Sequence, residues 1–122
     1  MPPFLPASTG TFGLAIEELE LEADPVDPDA PPDAPRTANR VVWQSPDGRT
    51  IRGVWEITPG VVADTEEDEV FVVVRGRATV EVEGGETFEL APGTMGVLER
   101  GQRTTWTVHE TLRKAYAITL PS

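Results

Sequence analysis

The segment EVFVVVRGRATVEVEGG, residues 69–85, carries the pattern that decides the fold class. Residues 77–83 alternate polar and apolar side chains, which predicts a β-strand with one buried and one solvated face. The Gly-Gly pair at residues 84–85 then favours a tight hairpin turn. Residues 70–74 are apolar at every position, so we expect a central strand that is covered on both sides.

Turn signals continue on both sides of this segment. They lie at residues 46–48, 59–60, 75–76, 92–93 and 100–101. Strand-like segments fill the gaps between them, including residues 94–98, 103–109 and 113–120. About eight short strands with no convincing helical periodicity are typical of a sandwich or a small barrel. We therefore predict an all-β domain over residues 36–122, either a sandwich or a small barrel such as a jelly roll.

Residues 1–35 differ in composition from the rest of the chain. They hold eight acidic residues, no Lys or Arg, and eight of the twelve prolines. Residues 23–35 contain only Ala, Asp, Pro and one Val, so they cannot bury apolar surface. We predict a solvated, extended, acidic and proline-rich N-terminal arm of roughly 40 Å, with plain disorder as the alternative. Its apolar tip, residues 12–21, is expected either to form an edge strand on the same domain or to pack across a subunit boundary.

The overall composition excludes several kinds of chemistry. The 122-residue chain has no Cys and a single His, so thiolate sites are excluded and sites built on several imidazoles cannot form within one chain. The net charge of −11 repels phosphate backbones and anionic lipids, so we expect neither nucleic acid nor a membrane as a partner. The N-terminus lacks the basic and apolar regions of a signal peptide, and we expect a cytoplasmic protein.

Two residue spacings match a known pattern. Glu69 and Gly76, separated by six residues, reproduce the second half of the motif G-x5-H-x-H-x3,4-E-x6-G. Gly93, Gly101 and Thr104 follow the spacing of a second motif, G-x5-P-x-G-x2-H-x3-N. These are the two motifs of the cupin superfamily, which the sequence resembles.

Two longer phrases sharpen this resemblance. GVWEITPG at residues 53–60 and WTVHETLRKAY at residues 106–116 are similar to the branch that includes the ureidoglycine aminohydrolase cupin domain. The resemblance extends over residues 51–119. It implies a cupin jelly roll, and in the aminohydrolase branch a reaction that depends on a bound metal.

The histidine ligands that this resemblance would require are replaced. The positions of the His-x-His pair are taken by one of two pairs: Val62 and Asp64, or Ala63 and Thr65. Thr104 stands at the third ligand position, and His109 falls on the opposite face of its strand if Thr104 points inward. Among the ligand positions of the two motifs, only Glu69 has the residue type that the resemblance requires. Because one carboxylate with hydroxyls holds no divalent transition ion tightly, we predict a pocket without metal or cofactor.

Strand parity predicts which side chains face the barrel interior, since side chains two residues apart lie on one face. Aromatic walls combined with a few polar groups are the usual composition of a small-ligand site. The predicted small-molecule pocket consists of Trp55, Thr65, Glu69, Thr104, Trp106, Lys114 and Tyr116.

Glu69 is the candidate catalytic residue of this pocket, because a carboxylate in an apolar interior can serve as an acid or a base. The alternative is that Glu69 pairs with Lys114 or an Arg and only joins two strands. Residues 66–68 are predicted to be a solvated loop or strand start, although Glu67 could face the pocket.

The basic residues Arg113 and Lys114 lie in an otherwise apolar segment, so each needs a partner or a route to solvent. We expect cross-strand ion pairs with Glu99 or Glu110. His109 is predicted to be a surface residue.

Three functions from different classes stay open at this stage. The favoured one is a metal-independent cupin that binds a small organic molecule. The second is an enzyme acting on a small nitrogenous or carboxylic metabolite, as the aminohydrolase resemblance implies. The third is a structural or interaction module whose barrel is filled by its own side chains. Because small cupins commonly pair their sheets, we also expect a homodimer.

Overall fold

A computed structural model of the chain describes residues 11–122, and residues 1–10 of the predicted arm lie outside this range. Within it, the chain forms a short 3₁₀ turn, Ile16–Glu18, and eight β-strands. The strands are β1 Glu22–Ala23, β2 Thr37–Gln44, β3 Thr50–Ile57, β4 Gly60–Thr65, β5 Asp68–Val82, β6 Thr87–Leu90, β7 Met95–Leu98 and β8 Arg103–Thr119. Every pairing is antiparallel, as expected for an all-β fold.

Two long strands, β5 and β8, pair with each other through both layers of the barrel. The first half of β5 and the second half of β8 belong to the layer β1-β2-β3-β8-β5-β7. Their other halves belong to the layer β4-β8-β5-β6. The segments 70–74 and 77–83, predicted as separate strands, are therefore parts of β5, and β8 likewise joins residues 103–109 to the next predicted strand.

The bend between the two layers lies at Gly76. The β5–β8 register shifts on both sides of this residue, between Val73 and Ala78. Gly76 has a φ of +90°, and a Cβ atom there would overlap the carbonyl of Thr111 and lie 2.6 Å from the Cα of Leu112. The bend therefore requires a residue without a side chain, which explains the glycine at this motif position.

The core lies between the two layers, and its members come from the inward parity of each strand. In β5 the inward side chains include Phe71, Val73, Ala78 and Val80, as the alternation predicts. The remaining members of the core cluster are Ile57, Leu90, Leu98, Trp106, Val108, Leu112 and Tyr116. His109 has the opposite parity and is exposed, as predicted, with its Nε2 atom 2.8 Å from the Thr79 hydroxyl.

The outer face of β5 and β7 is apolar and exposed. Val70 pairs with Val97 and Val72 with Met95, and these side chains are 39%, 67%, 36% and 64% exposed. Phe12, Leu14 and Ile16 border a groove beside Val70, Val72 and Met95, so the described part of this chain covers the outer side of residues 70–74 only in part. The homodimer, whose sheets would meet on such a face, stays a prediction.

Residues 23–35 do not form the extended arm that was expected. Two turns, closed by Ala30 N–H to Asp27 C=O and Ala34 N–H to Pro31 C=O at 3.0 Å each, fold the segment back on itself. As a result, β1 pairs antiparallel with Asn39 and Ala38 of β2. Proline presets the φ angle of a turn, and Asp accepts hydrogen bonds from nearby backbone N–H groups, so repeated Asp and Pro favour turns here over extended geometry.

The segment before β1 docks on the chain's own barrel. The Arg113 guanidinium donates hydrogen bonds to the carbonyls of Ile16 and Leu19, at 2.8 and 2.9 Å. The same guanidinium donates to Glu56 at 2.9 Å. The 3₁₀ turn thus takes the place of the predicted edge strand, and the described residues of this segment pack on the same chain.

Over residues 11–122, the structure contains no helix that is long and apolar enough to cross a membrane.

Substitution of the bend glycine tests its structural role. We expect Gly76→Ala to lower the free energy of unfolding by about 3 kcal/mol or more, because strain at positive φ adds to a backbone clash. Gly93 is the matched control: its φ is +91°, but open space surrounds a Cβ there. Gly93→Ala should cost only about 1 kcal/mol in urea unfolding. Equal losses for the two variants would show that the clash is irrelevant.

Candidate functional site

A cavity of about 400 Å³ lies between the two layers and opens beside the exposed residues Asp64 and Thr65. Strands β3, β5 and β8 supply its floor, and β4 and the β1–β2 region supply its rim. Its apolar lining comes from Trp55, Ile57, Val62, Trp106 and Ile118. Its polar lining comes from Asp24, Thr37, Asn39, Asp64, Thr65, Glu66, Glu67, Glu69, Lys114 and Tyr116.

A buried ion pair lies on the cavity floor. The Lys114 Nζ atom donates a hydrogen bond to Glu69 Oε2 at 2.6 Å, and both side chains are buried. On the paired strands, Glu69 is opposite Ile118, whereas Lys114 is opposite Val73, so the lysine side chain reaches along the same face to the carboxylate. The pair therefore ties β5 to β8 at the cavity.

Aromatic rings surround the Lys114 ammonium. Its Nζ atom lies 4.6 Å from the ring centre of Trp55, 4.5 Å from that of Phe71 and 5.1 Å from that of Trp106. Trp55 and Trp106 meet edge to face, with centroids 5.9 Å apart and an interplanar angle of 77°. Ring faces attract a cation, so they add to the stabilisation of the charged lysine by Glu69.

Glu66 is buried above this floor. Its Oε2 atom accepts hydrogen bonds from the Thr104 hydroxyl at 2.6 Å and from the Trp106 indole N–H at 3.2 Å. Burial raises the pKa of the Glu66 carboxyl above its ordinary value of 4.5, although both hydrogen bonds act in the opposite direction. A carboxyl whose pKa is raised in this way can hold a proton at the cavity wall.

Tyr116 forms a polar contact on the other side of the cavity. Its hydroxyl donates a hydrogen bond to Asn39 Oδ1 at 2.7 Å. Burial raises the pKa of this phenol above 10, and the nearby Glu69 carboxylate acts in the same direction. Tyr116 therefore stays neutral at physiological pH.

The structure brings most of the predicted pocket together. Trp55, Thr65, Glu69, Trp106, Lys114 and Tyr116 all line the cavity. Thr104 does not; it lies behind the wall and holds Glu66 in place. Whether these residues bind a ligand stays a prediction, as does the role of Glu69 as an acid or base. The observed contact of Glu69 is the ion pair with Lys114, which was its alternative role.

Two expectations about charged residues are wrong. Glu66 is not part of a solvated loop, because its side chain is buried at 8% exposure. Arg113 and Lys114 do not pair with Glu99 or Glu110: their carboxylate partners are Glu56 and Glu69. A run of three acids gives no parity signal, and cross-strand ion pairs depend on which strands are neighbours and in which register, so neither result follows from local pattern.

The residues present do not fit the metal that a cupin fold often holds. Glu69 is occupied by the Lys114 ammonium, and His109 lies on the outer surface. In the part of the chain that is described, no group of three or more His, Cys, Asp or Glu side chains is arranged to hold a metal ion.

Comparison with known proteins agrees with the fold and defines the family. The chain belongs to the EutQ-like cupin domain family, whose model matches residues 44–116. Among curated proteins, none matches the chain.

Three solved structures illustrate the shared fold. Clostridium difficile EutQ is 15% identical, with a TM-score of 0.62 over 73% of this chain and 71% of that chain. A Pseudomonas syringae protein of unknown function is 23% identical, with a TM-score of 0.69 over 82% of this chain and 44% of that chain. Ectoine synthase from P. lautus is 21% identical, with a TM-score of 0.59 over 70% and 65%. At these identities the likeness shows the fold alone.

The buried ion pair should contribute measurably to stability. We expect Lys114→Met to lower the free energy of unfolding by about 3–5 kcal/mol, because it leaves the Glu69 carboxylate buried without a counter-charge. The double variant Lys114→Met, Glu69→Leu should recover part of that loss, with a coupling of about 1–3 kcal/mol in urea unfolding. Arg77→Met, which breaks an exposed pair with Glu110, is the matched control and should cost less than about 1 kcal/mol. The coupling would be contradicted if the double variant lost as much unfolding free energy as the Lys114→Met and Glu69→Leu single variants combined.

The pKa of Glu66 predicts a specific pH dependence of stability. Since the folded state raises this pKa, its stabilising effect is complete below about pH 4.5 and is lost as pH rises through the folded value. The free energy of unfolding of the wild type, relative to Glu66→Gln, should therefore increase as pH is lowered from about 7.5 to about 4.5. Urea unfolding of both proteins across this range measures the difference. Parallel curves would show that Glu66 does not titrate abnormally.

Proposed function

We propose that this chain binds a small organic molecule in the cavity between its two layers. The observation that carries the proposal is the cavity itself: about 400 Å³, partly enclosed, and lined by two tryptophans beside a small set of polar atoms. This size lies within the usual range of roughly 300–1,000 Å³ for small-molecule sites, and the mixed lining is also typical of them. The same cavity counts against a barrel that is filled by its own side chains.

The lining suggests how such a molecule would be held. The indole rings of Trp55 and Trp106 provide apolar surface, and the Tyr116 hydroxyl and Glu66 carboxyl provide polar contacts at the edges. The Lys114–Glu69 pair keeps two charged groups fixed in the floor. Because these groups are already positioned by protein contacts, a ligand would meet a largely preformed site.

An enzyme acting on a small nitrogenous or carboxylic metabolite is the second candidate. One observation favours it: the buried Glu66 carboxyl, whose raised pKa suits a proton donor or acceptor, lines the cavity. The phrases shared with the ureidoglycine aminohydrolase branch support the same reading. Binding is favoured because the metal on which that branch's chemistry depends finds no ligand set here.

Nuclear magnetic resonance can test binding through the three tryptophans of the chain. A fragment library containing cationic, neutral and anionic molecules should yield binders that shift the indole N–H signals of Trp55 and Trp106. Trp43 lies outside the cavity and serves as the internal control. Binders that shift only Trp43, or a library with no binder, would contradict the proposal.

Two neighbouring valines of β4 provide a matched pair of variants. Val62 lines the cavity, whereas Val61 is exposed and points away from it. Val62→Phe should fill the entrance and weaken fragment binding by roughly tenfold or more, which corresponds to about 1.4 kcal/mol. Val61→Phe should leave the affinity unchanged. Equal effects of the two variants would show that the fragments bind elsewhere.

A further inference from the structure

The cavity has an unequal balance of charge. Its lining, as far as the chain is described, contains one cationic side chain, Lys114, and five carboxyl groups. The carboxyl groups belong to Asp24, Asp64, Glu66, Glu67 and Glu69. This excess of acid is concentrated in an enclosed space, where charges are less screened than on the open surface.

The positive charge of Lys114 is already neutralised by the protein. Its ammonium is 2.6 Å from Glu69 and is packed against three aromatic rings. An anionic ligand that approached Lys114 would have to displace Glu69 from a buried pair, which is costly. The charges of Lys114 and Glu69 therefore cancel, and the net charge of the cavity depends on its other lining residues.

Glu66 is already engaged by protein groups. The Thr104 hydroxyl and the Trp106 indole N–H both donate to its Oε2 atom, so this oxygen is held without a ligand. The remaining charge comes from three carboxylates of the cavity lining: Asp24, Asp64 and Glu67. Asp24 accepts a hydrogen bond from the Thr37 hydroxyl at 2.7 Å, and Asp64 accepts one from the Thr65 N–H at 2.8 Å. The Thr37 hydroxyl and the Thr65 N–H carry no charge, so these hydrogen bonds do not compensate the negative charges of Asp24 and Asp64.

Glu67 provides the independent indication of a ligand. Its Oε1 atom is buried and has no hydrogen-bond partner among residues 11–122. A buried acceptor without a donor costs roughly 1–3 kcal/mol, and more for a charged group. Glu67 itself lines the cavity, so a turn of its side chain would offer this oxygen to a donor from a bound molecule.

We infer that the ligand of this cavity carries a cationic nitrogen, a primary ammonium or a guanidinium, which donates to Glu67, and an apolar or aromatic body that lies along Trp55 and Trp106. This inference rests on the proposed function and specifies its ligand class. Asp24 and Asp64 contribute long-range attraction at the entrance, and they repel carboxylates and phosphates. An ammonium or guanidinium group fits better than a bare metal ion, because the carboxylates are not grouped as metal ligands in the described residues.

Three probes of similar shape and different charge test the inference: benzylammonium, benzyl alcohol and benzoate. We expect benzylammonium to shift the Trp55 and Trp106 indole signals with an affinity roughly tenfold or more above that of benzyl alcohol. Benzoate should bind more weakly still. Glu67→Gln keeps the size of the side chain and removes its charge, so it should weaken benzylammonium roughly tenfold and leave benzyl alcohol unchanged.

Glu18→Gln is the matched control, since it removes the same charge from an exposed residue that does not line the cavity. It should leave all three affinities unchanged. If benzyl alcohol or benzoate binds as tightly as benzylammonium, the charge inference is overturned while the proposed binding function stands. If none of the probes shifts Trp55 or Trp106, both are overturned. Because the probe comparison uses the wild-type protein, it decides the question even if the Glu67 variant fails to fold.

Discussion

The antiparallel pairing of β5 with β8 is the constraint on which the rest of the barrel depends. These strands contribute to both layers, so they hold the layers together and set the distance between them. Every other strand except β1 and β2 pairs directly with β5 or β8 within the described chain. The bend that lets them pass from one layer to the other occurs where Gly76 brings the backbone against Thr111. A side chain at that point would push the layers apart and with them the walls of the cavity.

The same pairing produces the electrostatics of the cavity. The register places Lys114 and Glu69 on one inner face, four residue pairs apart, and their long side chains reach along that face to form a buried ion pair. Burying two charges costs desolvation free energy, which their attraction and the surrounding aromatic rings offset. Once these two charges cancel, the other acids of the lining have no cationic counterpart among the described lining residues. The proposed preference for a cationic ligand follows from this pairing, because Lys114, the cationic side chain of the described lining, is already bound to Glu69.

Much of the fold was predictable because it depends on local patterns. Alternation in β5 identified its buried residues, and parity in β8 correctly placed Trp106 inward and His109 outward. The pocket residues Glu69, Trp106, Lys114 and Tyr116 followed from the same counting. The prediction divided β5 and β8 into shorter strands. In β5, the bulge at Gly76 interrupts the alternation of polar and apolar residues without ending the strand. Glu66 was missed because its burial depends on Thr104 and Trp106, which lie about forty residues away in sequence.

The sequence by itself determined the all-β class, the inward parity of β5 and β8 and the absence of a second histidine, because these follow from residue types and a period of two. Only the tertiary structure decided which charges meet. It pairs Lys114 with Glu69 and Arg113 with Glu56, buries Glu66 and leaves an oxygen of Glu67 without a partner among the described residues. It also folds the acidic segment 23–35 back so that Asp24 reaches the cavity. Such contacts join distant segments, and their energies depend on burial, which local composition does not report.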